Sequence, residues 1–69
     1  MNGLQISLAA ARVNAGLTQA DAAKALNISV HLMRNWEKGR SELSVSQSRG
    51  LSELYAIPLD YIFLPIISN

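Results

Sequence analysis

Val30, His31, Arg34 and Asn35 are four side chains, close together in the chain, that could between them read the edges of nucleic-acid bases. An arginine guanidinium fits the O6 and N7 acceptors of guanine with two hydrogen bonds, worth about 1–3 kcal/mol of discrimination. An asparagine amide pairs with adenine in the same bidentate way. Val30 can offer only methyl contact, which suits a thymine methyl group, and His31 can donate to a guanine or lie along the phosphate backbone. Bond-making chemistry has far less to work with. The chain has one histidine, no cysteine and no carboxylate pair on a plausible cleft wall, so neither an enzyme nor a cofactor is expected. Disulfide or zinc stapling is excluded on the same composition.

Side chains that read a surface need a rigid element beneath them, and the spacing of caps and apolar residues supplies one. Ser29 is a hydroxyl N-cap opening a helix over residues 30–38, closed by Gly39, with Met33, Trp36 and Leu32 at its apolar positions. Before it, Thr18 and Asp21 are spaced as a capping box for a helix over 19–26, whose inward face is Ala22, Ala23 and Leu26. Asn27 follows, a residue that tolerates the left-handed backbone of a sharp turn. A turn this short makes the two helices cross steeply, with Ala23 at the crossing, and projects the second from the body of the domain. With its side chains a helix is about 10–12 Å across, a match for the major groove of B-DNA.

Three further segments complete the expected architecture. A first helix is read over residues 4–14, with Leu4, Leu8 and Ala11 on one face and Gly16 at its end. Ser44 and Gln47 repeat the capping signature for a fourth helix reaching Tyr55, burying Val45, Leu51, Leu54 and Tyr55. Gly50 in its middle costs about 1 kcal/mol relative to alanine. A short fifth helix over 59–64 is bracketed by Pro58 and Pro65. Strand-like alternation is weak, so the expected fold class is all-α, one domain over residues 1–69.

Composition limits the remaining possibilities. With 69 residues, 49% of them hydrophobic, one marginal core is expected. The apolar tail over 59–67 is too short to span a membrane, and no signal peptide is recognisable. A cytoplasmic protein is expected, and the opening methionine with no evident linker points to a complete small protein. Net charge is only +1, from six basic and five acidic side chains. That is low for a protein whose affinity would rest on neutralising phosphates.

Leu17-Thr18-Gln19, Ala23, the Ile28-Ser29 turn and Trp36-Glu37-Lys38-Gly39, in this order and spacing, resemble the Cro/C1-type (XRE-type) helix-turn-helix family. The resemblance runs over most of the chain, with the motif at about 19–38, and implies a compact five-helix, lambda-repressor-like DNA-binding domain. It implies that Gln19 and its neighbouring backbone N–H groups hold a phosphate, that Ser29 touches another, and that Lys38 and Arg40 contact the backbone beyond the helix. It places Val30, His31, Arg34 and Asn35 at the base edges and matches Arg12 and Glu37 to an internal salt bridge. Departures stand at Leu43, often proline in the family, at Ser48 and Arg49, where leucines are common nearby, and at Pro58, usually a hydroxyl cap.

The leading expectation is a phage-type or bacterial regulator binding operator DNA, most simply as a homodimer on a palindromic site. The alternative is an antirepressor or modulator acting on a partner repressor protein. The low charge, the apolar start of the recognition helix at Val30 and Leu32, and the tail favour it. In that reading Leu59, Tyr61, Ile62, Phe63, Leu64 and Ile66 form a partner or dimer surface.

Overall fold

Among the described residues, a hydroxyl side chain opens each α-helix. The computed structural model describes residues 4–64 together with the backbone of residues 67 and 68. Its four α-helices are α1 (Leu8–Asn14), α2 (Gln19–Leu26), α3 (Val30–Glu37) and α4 (Val45–Tyr55). Ser7, Thr18, Ser29 and Ser44 cap them, each oxygen accepting a backbone N–H three residues on at 3.0 Å. At α2 and α4 the bond is reciprocated: Asp21 and Gln47 accept from the N–H groups of Thr18 and Ser44 at 3.0 and 2.8 Å. That backbone bond holds the Asp21 carboxyl below the usual carboxylate range.

The helices also end alike. A left-handed residue follows each, Gly16, Asn27, Gly39 and Ala56, at φ of 76°, 58°, 70° and 56°. The next N–H then reaches back five residues, from Leu17 to Arg12, Ile28 to Ala23, Arg40 to Asn35 and Ile57 to Ser52, at 2.8–3.2 Å. This closure satisfies carbonyls that a helix end leaves open. Such sharp stops keep the helices short and turn the chain back onto one core.

The core consists of Leu8, Ala11, Ala22, Ala23, Met33, Trp36, Leu43, Leu51, Tyr55 and Ile62. Its alanines lie on α1 and α2, where small side chains let helices approach closely. The polar atoms buried with it are satisfied. Trp36 Nε1 donates to the Glu42 carbonyl at 3.2 Å, Ser48 Oγ to the Val45 carbonyl at 2.8 Å, and the Tyr55 hydroxyl to Met33 sulfur at 3.8 Å.

The fold differs from the expected five-helix, all-α layout at both ends. Residues 4–7 are not helical: Ile6–Ser7 form a short strand, β1, and Leu4 is 89% exposed rather than on a buried face. Helix α1 starts at Leu8 because Ser7 is its cap. Instead of a fifth α-helix there is one 3-10 turn, Leu59–Tyr61. Ile62–Phe63 then form a strand, β3, that pairs in parallel with β1, Ile6 opposite Ile62. A β-branched and an aromatic residue favour this extended conformation over a helical continuation. A second parallel pair joins β2 (Leu43–Ser44) to β4 (Ile67–Ser68), Leu43 opposite Ile67. Val45, expected inside, is 45% exposed, and Leu43 is fully buried in its place.

Candidate nucleic-acid interface

Helices α2 and α3 are joined by Asn27, Ile28 and Ser29 alone. The left-handed Asn27 makes the bend, Ser29 restarts the helix, and Ile28 packs against the core between them. Ala22 and Ala23 are buried on α2, Met33 and Trp36 on α3. With Met33 and Trp36 fixing the inward stripe of α3, the opposite edge presents His31, Arg34 and Lys38, all exposed. Asn35 is half-buried beside them. Val30 is half-buried and packed against the core, as is Leu32, so the apolar start of α3 belongs largely to the interior.

One hydrogen bond organises this edge. Asn35 Nδ2 lies 3.3 Å from His31 Nε2, one helical turn away. The Arg34 side chain makes no hydrogen bond or ion pair among the described residues, and its donors are free for a ligand.

The end of α3 is tied to the rest of the domain by Glu37, whose side chain is 6% exposed. Its carboxylate accepts from Arg12 Nε at 2.7 Å, Arg12 Nη2 at 3.3 Å and Gln19 Nε2 at 3.0 Å. Arg12 Nη1 also donates to the Leu17 carbonyl at 2.8 Å. One carboxylate thus joins α1, the start of α2 and the end of α3. Hydrogen bonding to Glu37 raises the Arg12 guanidinium above its ordinary value, so its charge is permanent.

Two consequences follow for the interface. Gln19, assigned to a phosphate on sequence resemblance, has one N–H of its amide engaged by Glu37, and the other N–H is not used in that bond. Neutralising Glu37 with Arg12 also makes the exposed charge from Arg34 through Arg40 purely cationic, namely Arg34, Lys38 and Arg40. A net charge of +1 therefore conceals a locally basic edge. Ser29 is exposed, but its oxygen already accepts from the Leu32 N–H.

The residues assigned to a partner surface divide. Tyr61 and Phe63 are each 55% exposed, whereas Leu59 and Leu64 are half-buried. Ile62 is a correction: at 2% exposure it is a core side chain, turned inward by the alternation of β3. Ile66 lies outside the described residues. The role of Gln19 as a ligand of Glu37 was not readable in sequence, because nothing local marks a contact across three helices. The His31–Asn35 contact did leave a signal in its i, i+4 spacing.

Comparison with known proteins returns a family model described as Helix-turn-helix, which matches residues 8–62. No curated protein and no solved structure matches the chain.

Proposed function

Because the chain belongs to the Cro/C1-type helix-turn-helix family of DNA-binding transcription regulators, we propose that it binds operator DNA with α3 in the major groove. What carries this reading is the exposed edge of α3, where Arg34 stands unpartnered among the described residues. In this reading Arg34 and Asn35 contact base edges, with His31 beside them and Val30 at most touching a methyl group. Lys38 and Arg40, the Ser29 end of α3 and the backbone at Gln19 meet phosphates. The protein works in the cytoplasm of a bacterium or phage-infected host, as a homodimer on a palindromic site. No helix among the described residues is long and apolar enough to cross a membrane.

The test sorts contacts by kind. Arg34→Ala should relax base preference at one position of each half-site, while Lys38→Ala should weaken binding to all sequences alike. If Arg34→Ala leaves base preference untouched, α3 is not the reading element.

A second reading rests on Tyr61 and Phe63, two large side chains exposed beside β3. An antirepressor that pairs with a repressor protein would use such a surface. In a reporter assay with a candidate repressor, Phe63→Glu would then abolish regulation and Arg34→Ala would spare it. Operator reading predicts the reverse order.

A further inference from the structure

We infer that His31 is a positioning residue: it orients the Asn35 amide on the exposed edge of α3, and so sharpens an adenine preference at the base that Asn35 meets. The inference rests on the operator-reading function above and adds a division of labour within it. An amide nitrogen can only donate, so at 3.3 Å the His31 Nε2 must be the acceptor. The neutral imidazole then carries its proton on Nδ1. One Asn35 N–H is thereby held along the helix. The other N–H and the carbonyl oxygen remain, which is the donor–acceptor pair that adenine N7 and N6 require in the major groove.

Without His31 nothing among the described residues fixes the amide. The last torsion of asparagine is broad and roughly two-fold, so the group can present oxygen where nitrogen is needed. Asn35 is half-buried and His31 exposed. His31 thus acts on the base through Asn35.

Binding-site selection on randomised duplexes, with the whole chain and its variants, tests this. Asn35→Ala should erase the adenine preference, a loss of about tenfold or more. His31→Ala should lower the same preference about 1.5- to 2-fold, the usual strength of an i, i+4 side-chain pair. His31→Gln should restore it, because the glutamine oxygen can accept the same N–H. If Asn35→Ala changes no base preference, the base-reading assignment itself fails. If Asn35→Ala acts but His31→Ala does not, only the positioning role is overturned. It is likewise overturned if His31→Ala is as severe as Asn35→Ala, or if His31→Gln gives no rescue, since His31 would then read a base directly. Nitrogen NMR of the free protein at alkaline pH gives a readout independent of DNA. It should find His31 protonated on Nδ1, and an Nε2–H ring would overturn the inference.

Discussion

At the scale of single residues, a few side chains carry costs that can be measured. Glu37 satisfies Arg12 and Gln19 together, so Glu37→Ala strands a guanidinium that is 14% exposed and an amide beside it. The expected loss is about 2–4 kcal/mol in urea unfolding, and replacing Arg12 and Glu37 together with fitted apolar residues should cost less. Equal losses would mean that the pair contributes only by packing. Tyr55 makes a prediction in pH. Burial first, then the Glu37 charge, push its phenol up to about 12, with Arg12 acting the other way. In the unfolded chain the group ionises near ~10. The folded state keeps a proton that the unfolded chain releases, so this stability is whole below about pH 10 and falls as pH rises towards 12, by about 2 kcal/mol. Melting curves of the wild type and Tyr55→Phe should therefore diverge above about pH 10. Parallel curves would show that the phenol ionises as easily in the folded protein. Arg12 and Glu37 could be matched in sequence only through family resemblance, and the third member, Gln19, could not be found at all.

At the scale of elements, caps were the most legible feature, because a hydroxyl and its N–H partner lie three residues apart and need no tertiary context. The Thr18, Ser29 and Ser44 caps and the left-handed Asn27 were all readable in this way. The parallel pairs β1–β3 and β2–β4 were not. Each is two residues long and joins segments far apart in sequence, below any periodicity a window can detect. The Ser7 cap has the same local spacing as the others, but Leu4 and Leu8 fit a longer helical face that runs through it. Helix α4 offers two stabilising changes. A Cβ on Gly50 would meet Leu26 Cδ2 at 3.3 Å, a tight contact. That methyl is the tip of a half-buried side chain beside an open cleft of about 240 Å³, so it has room to yield. Gly50→Ala should then gain about 0.5–1 kcal/mol from helix propensity, and a lower melting temperature would show Leu26 to be fixed. Ala56 ends the helix at φ 56°, where a Cβ is unfavourable. Ala56→Gly should raise stability by about 0.5–1 kcal/mol in the same assay, and a loss would mean that the Ala56 methyl is favourably packed.

At the scale of the whole molecule, composition understated the site. A charge of +1 suggested weak attraction to DNA, but composition cannot show that Arg12 and Glu37 cancel inside while Arg34, Lys38 and Arg40 remain outside. These three cations per chain set a salt dependence. A symmetric dimer neutralising about six phosphates should show a slope of about −5 in log affinity against log salt, and a monomer about −3. A slope near zero would remove phosphate neutralisation from the binding mode. The pairing of β1 with β3 carries a consequence for synthesis. Ile6 leaves the ribosome long before its partner Ile62, at a pace of about 5–20 residues per second. Helices α2 and α3 are neighbours with a three-residue turn, and contacts so close in sequence close quickly. A nascent chain should therefore dock its recognition helix on α2 while the first strand still waits for the ladder that will hold it. Until Ile62 emerges, the unpaired backbone of β1 at Ile6 and the apolar Leu8 that follows it stay open to chaperones or to neighbouring chains.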